Sequence, residues 1–143
     1  RDVSEADALG YVSGWSVAND VTARWWQKEG SGGQWIRGKS FDTFCPLDLP
    51  VPASSIVDPQ NLQLETTLCG EVMQHTTTAN MIFPVATLIA EISRGTTLLE
   101  GTVILTGTPS GVGAARTPPR FLRSGDLIEV TIGGVGTLRN RVR

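Results

Sequence analysis

Leu62, Leu64, Thr66 and Leu68 alternate with Gln63, Glu65, Thr67 and Cys69, and the run breaks at Gly70-Glu71 before Val72-Met73-Gln74. A period of two is the pleat of a β-strand, whose successive side chains point to opposite faces, so one face of this segment is apolar and the other wet. With a glycine at the break, the pattern predicts a half-buried hairpin. The same alternation returns where Ile128, Val130 and Ile132 interleave with Leu127, Glu129 and Thr131, and Gly133-Gly134 turns the chain into a last strand ending near Val142. The 16 glycines and 8 prolines among 143 residues supply many turns, and a hydrophobic fraction of 40% suffices for one domain with a real core.

Helical spacing is clear in one place. Met81, Ile82, Val85, Leu88, Ile89 and Ile92 recur every three or four residues and are closed by Gly95. Pro84 lacks an amide hydrogen and belongs in a first turn, so the helix is expected over about 84–94, with 80–83 irregular. Residues 2–9, DVSEADAL, predict a short helix stopped by Gly10, and Tyr11–Thr22 predicts a strand interrupted at Gly14. Lys28–Gln34, KEGSGGQ, reads as a flexible loop of the kind that lies over a site, and Thr102–Thr106, TVILT, as a buried strand. With no βαβ periodicity and no internal repeat, the expected class is β-rich α+β, a single domain over 1–143 with many short strands and one substantial helix.

Residues 1–115 hold six bases against twelve acids, whereas residues 116–143 hold six bases against two acids. Asp126 and Glu129 interleave with the arginines of that tail, so it reads as a solvated face and not as a nucleic-acid track. The longest nearly unbroken apolar run, Met81–Ala86, is interrupted by Pro84 and falls far short of the ~20 residues of a membrane span. Neither nucleic acid nor membrane is an expected partner. Two cysteines, Cys45 and Cys69, and no Asn-x-Ser/Thr acceptor point to a reducing compartment. The chain opens at Arg1 and shows no charged n-region followed by an apolar h-region, so any targeting signal is expected upstream.

Three segments carry candidate chemistry. In Asn19-Asp20-Val21-Thr22-Ala23-Arg24, an acid and an arginine lie four apart where an apolar strand ends. The carboxylate suits a hard cation and the planar guanidinium suits a substrate carboxylate, although an ordinary Asp–Arg ion pair at a strand end satisfies the same spacing. Lys39, in Gly38-Lys39-Ser40-Phe41-Asp42-Thr43-Phe44, stands between a glycine and an apolar stretch. A lysine partly withdrawn from water there supplies a fixed positive charge or, once deprotonated, a base; a plain surface lysine is the alternative. Thr106-Gly107-Thr108-Pro109-Ser110-Gly111-Val112-Gly113 lets backbone amides and Thr108 approach an anion closely, or simply makes a tight Pro-Gly turn. It lacks the Gly-Lys-Ser/Thr ending of a P-loop. The lone His75 lies in the hairpin, and with no G-x-S-x-G elbow and two distant cysteines neither a serine triad nor a zinc site is supported.

Taken in order, GWSVANDVTAR with Gln27, GQWIRGKSFDTFCPL and LTGTPSGVG resemble the signature of the fumarylacetoacetate hydrolase family, and GEVMQHTTTANMIF and FLRSGDLIEVTIGGVGTL resemble its intervening and following segments. The resemblance covers nearly the whole chain and is to the C-terminal part of the family, in particular its domain-containing protein 2 branch. It implies mixed β-sheets wound into a roll, a homodimer, and a mitochondrial location with a cytoplasmic one as the alternative. It further implies Mg2+ (or Mn2+ or Ca2+) and a small dicarboxylate or β-diketo acid handled through its enolate, either as an oxaloacetate keto–enol tautomerase or as an acylpyruvate-type C–C hydrolase. By the same resemblance Asp20 is a metal ligand, Thr43 supports the metal region, Lys39 is catalytic, and Arg24, Gln27 and Thr108 bind substrate. The family's Glu-x-Glu metal pair occurs nowhere in these 143 residues, and its acid–base His-Glu pair is expected upstream. A partial catalytic domain follows, and a truncated, catalytically inactive fragment with at most an association role is the rival reading.

Overall fold

The computed structural model describes residues 1–143. The predicted hairpin is the centre of the molecule. Strand β3 (Gln63–Leu68) pairs antiparallel with β4 (Glu71–Thr77), Leu64 opposite Thr76 and Thr66 opposite Gln74, with a register shift between Thr66 and Thr67. Cys69, at φ 52°, and Gly70, at φ 84°, make the turn. On its other edge β3 takes β5 (Leu127–Ile132), which continues through Gly133-Gly134 into β6 (Gly136–Arg141), giving one antiparallel sheet in the order β4-β3-β5-β6. Alternation does its work here: Thr66, Val130 and Leu138 stand in one row across three strands, and all three are buried.

Helix α1 (Val85–Ser93) follows Pro84, in agreement with the spacing argument. No side chain at the first position caps it; the Val85 amide instead donates to Gln60 Oε1 at 2.8 Å, so a distant glutamine satisfies one of the orphan amides of the first turn. Val85, Ile89 and Ser93 recur every four residues on its buried face, where Ala8 packs against the two apolar side chains. A second apolar cluster joins Val17 to Val130 and Leu138 of the sheet.

Four local expectations give way to physical competitors. The helix expected over 2–9 is a 3-10 turn at Ala8–Tyr11, with Gly10 inside it, because Ser93 holds the start of the chain: its carbonyl accepts from the Asp2 amide at 2.8 Å and its hydroxyl from the Val3 amide at 3.0 Å. The strand expected over Tyr11–Thr22 shrinks to β1 (Gly14–Trp15), paired with β2 (Val51–Pro52), plus a single bridge from Ala18 to Leu47. Pro46, Pro50 and Pro52 stand on the opposing segment, and without amide hydrogens they cannot extend a ladder. The expected polar loop begins as a π-helical turn, Trp26–Gly30, tied by the Ser31 hydroxyl, whose single proton is shared between the carbonyls of Trp26 and Gln34. Finally, Thr102–Thr106 is neither a strand nor buried. Val103 is 61% exposed, and from Val103 to Thr108 the backbone makes no backbone–backbone hydrogen bond. An apolar run becomes a strand only beside another strand, and none lies beside this one in the chain.

Near the end of the sheet, Asp126 accepts two bonds from Arg120 Nη2, at 2.9 and 2.8 Å, and one from the Arg123 amide at 2.8 Å. The Arg120 guanidinium foremost, and then the Arg123 amide, hold the Asp126 carboxyl below its ordinary value. A carboxyl depressed in the folded state contributes stability that is present above the unfolded value, about pH 4, and is lost as pH falls through the folded value. The melting-temperature gap between the protein and Asp126→Asn is therefore expected to be largest near neutral pH and to close progressively below about pH 4; a gap unchanged by acid contradicts this.

Candidate active site

Asp20 and Thr22 lie on an irregular segment, turned at Asp20 where the Val21 amide donates to the Asn19 carbonyl at 2.9 Å, Arg24 opens the helical turn that follows, and all three line one cavity of about 340 Å³. Gln27, from the π-helical turn, and Lys39, from the 3-10 turn Ile36–Lys39, face it from the other side, and Gly107, Thr108 and Val112 close it. Five sequence-derived candidates, Asp20, Arg24, Gln27, Lys39 and Thr108, thus share one wall system. Thr43 does not line the cavity; it is exposed, in the left-handed region at φ 66°.

Two turns are brought together by the absence of a side chain. Gly38 is buried, and a Cβ added to it would lie 2.8 Å from the Gln27 nitrogen. The Ala23 amide donates to the Gly38 carbonyl at 2.8 Å, which locks the turn that carries Lys39 onto the segment that carries Asp20 and Arg24. Lys39 Nζ then donates to Asp20 Oδ2 and, at 3.1 Å, to Thr22 Oγ1. Thr22 Oγ1 in turn donates to the Asp20 carbonyl at 3.0 Å. On the adjoining wall Arg24 Nη1 donates to Gln27 Oε1 at 2.7 Å, while Arg24 Nε is buried with no partner.

Lys39 and Arg24 set two positive charges against the one negative charge of Asp20, so the cavity favours an anion. The unpaired Arg24 donor suits a planar carboxylate. The loop bearing Thr108 is fixed beyond it: Gln74 Nε2 donates to the Pro109 carbonyl at 3.0 Å, and Gly111, at φ 98°, has its Cα so close to β4 that a Cβ would lie 2.1 Å from the Met73 carbonyl oxygen.

For a hard cation the donor set is incomplete. Asp20 is the one carboxylate on the cavity wall, it is engaged by Lys39, and nowhere in the chain do three or more His, Cys, Asp or Glu side chains gather. Such ions take six or more oxygen ligands and bind in proportion to ligand charge, so these residues alone do not make a metal site.

Thr22, Gly38 and Trp35, a wall residue 63% exposed, are the parts that residue-type reasoning passed over.

A family profile described as "Fumarylacetoacetate (FAA) hydrolase C-terminal" matches residues 1–143. Oxaloacetate tautomerase FAHD2A, mitochondrial, of Homo sapiens is 45% identical over 143 residues, covering 99% of this chain and 46% of that protein. Oxaloacetate tautomerase YisK of Bacillus subtilis is 47% identical over 141 residues, covering 98% of this chain and 46% of that protein. Among solved structures, the fumarylacetoacetate hydrolase of the psychrophile Exiguobacterium antarcticum superposes with a TM-score of 0.95 at 46% identity, covering 100% of this chain and 51% of that one. The chain spans about half the length of the curated relatives it matches.

Gly38→Ala tests the packing of the two turns. The added methyl is expected to cost about 1–3 kcal/mol, as overpacking does, and to move Lys39 away from Asp20 in a crystal structure of the variant. Gly10→Ala, whose added Cβ meets nothing within 4 Å, serves as the neutral control. Equal melting temperatures for the two variants would show that the turns are not in the contact described.

Proposed function

The chain belongs to the fumarylacetoacetate hydrolase family, and on that premise we propose that the protein it forms part of is an oxaloacetate keto–enol tautomerase. The observation that carries the reading is the convergence of Lys39, Arg24 with Gln27, and Thr108 on one net-positive cavity, which shares Asp20, Arg24 and Thr108 as wall residues with a larger cavity of about 1380 Å³, so that charge and not size favours a small dicarboxylate. Tautomerisation moves a proton from C3 of the acid to the C2 oxygen and needs no second reactant. Negative charge develops on that oxygen, and a fixed ammonium beside it lowers the barrier because it is already in place when the charge appears. Lys39 takes that part. Arg24, held by Gln27, receives one carboxylate, and Thr108 contacts the other. The acid–base pair that takes up the C3 proton is assigned to residues outside this chain.

Acylpyruvate hydrolysis is the second reading, favoured by the same arrangement because it passes through the same enolate: water adds to the distant carbonyl, the C–C bond breaks, and the electron pair is left on the pyruvate half until a proton arrives. The proposal extends to a divalent cation, Mg2+ or else Mn2+ or Ca2+, with Asp20 as one ligand, carboxylates from outside the chain as others, and Thr43 supporting the region. It extends also to a homodimer and to the mitochondrion, a location carried by the name of the human relative and not by that of the Bacillus one, so that a cytoplasmic site is the alternative. Taken alone, the chain is proposed to be inactive, on the strength of its single cavity carboxylate and the unpaired backbone of residues 103–108.

In the whole protein, Lys39→Met is expected to lower the rate of oxaloacetate enol consumption by about 10²- to 10³-fold while leaving Mg2+ affinity near that of the parent. An unchanged rate would make Lys39 a structural residue. For the isolated chain, thermal scans with and without the remaining half of the protein, each with and without Mg2+, are expected to show a Mg2+-responsive melt only when both halves are present. A sharp, Mg2+-responsive melt from the 143 residues alone would defeat the inactive-fragment proposal.

A further inference from the structure

We propose that Thr22 is a positioning residue that holds the Lys39 ammonium at the reacting oxygen, a role that rests on the reading of the cavity as a keto-acid site. The Thr22 hydroxyl has a single proton, and that proton is taken by the Asp20 carbonyl at 3.0 Å. Its lone pairs are therefore the part left for Lys39 Nζ, 3.1 Å away, and the direction of that bond is settled by the backbone: the ammonium donates, the hydroxyl accepts.

The two anchors of Lys39 differ in what they do to its charge. Asp20 orients the ammonium and at the same time neutralises it. Thr22 orients it without neutralising it, so the positive charge remains available to an oxygen in the cavity. A lysine side chain has four rotatable bonds and considerable rotamer entropy to lose, and a neutral acceptor at the far end of its stem reduces the number of places the ammonium occupies when the Asp20 carboxylate is drawn to another partner. The Lys39 turn is clamped at its base by the contact of Gly38 with Gln27; Thr22 clamps the tip.

The test uses the whole protein with Thr22→Val, which keeps the shape and removes the hydroxyl, and Thr22→Ser, which restores it. Thr22→Ala carries the same comparison should the valine variant fail to fold. Thr22→Val is expected to lower kcat on oxaloacetate by about tenfold or more with KM within about threefold, and Thr22→Ser to recover most of the loss. Combined with Lys39→Met, Thr22→Val is expected to add no further loss, since it acts through the lysine. An unchanged kcat in Thr22→Val, or losses that multiply in the double variant, would overturn the assignment. Oxalate, a planar dianion resembling the enolate, gives a readout independent of turnover. By titration calorimetry Thr22→Val should weaken it severalfold in the parent background and not in Lys39→Met, and equal affinities in the parent background would again overturn the role. If the parent protein fails to tautomerise oxaloacetate, the proposed activity falls, and the oxalate titration alone decides the fate of Thr22.

Discussion

A glycine that touches backbone is the contact on which the cavity depends. Gly38 lies directly against the Gln27 nitrogen and Cα, and no other residue type leaves room for that approach. The Ala23 amide fastens the same glycine from its carbonyl side. The Lys39-bearing turn is thereby pressed against one continuous run of chain, 20–27, that supplies Asp20, Arg24 and Gln27. The bonds from Lys39 to Asp20 and Thr22 and from Arg24 to Gln27 all join side chains rooted on those segments.

The charges follow from this packing. An ammonium set between a carboxylate and a hydroxyl, next to a guanidinium with one buried donor still free, makes a place that attracts an anion and leaves its carboxylate end unmatched. The pairing of Arg120 with Asp126 is of the opposite kind. The Asp126 carboxylate is filled from within the chain, by Arg120 Nη2, the Arg123 amide and Cys69 Sγ, and that arrangement closes the end of the sheet.

What the sequence made legible was whatever depends on neighbours within a few residues or on one face. The β3–β4 hairpin and the β5–β6 pair could be read because a period of two specifies a face without reference to any partner. Helix α1 could be read from Val85, Ile89 and Pro84. The β-rich α+β class stands, and with it the family. What stayed hidden depends on distant groups: Ser93 drawing Asp2 and Val3 out of a helix, prolines on the segment facing Tyr11–Thr22, and the missing neighbour of Thr102–Thr106. In the cavity, residue chemistry pointed to Asp20, Arg24, Lys39 and Thr108, whereas Thr22 came to notice only through the directions of its two bonds.

The segment that ends in Thr108 is held from both sides by contacts outside its own main chain. Past Thr108, the Pro109 carbonyl is bonded to Gln74 and Gly111 is wedged against Met73, while before it the five residues 103–107 make no main-chain bond and Ile104 packs against the cluster of Ala8, Val85 and Ile89. In mechanical language this is a beam resting on two supports, the edge of β4 at one end and the α1 cluster at the other. Thr108 lies between them, so its aim into the cavity is set by two separate parts of the fold, and a change in the packing of α1 reaches the site without touching it.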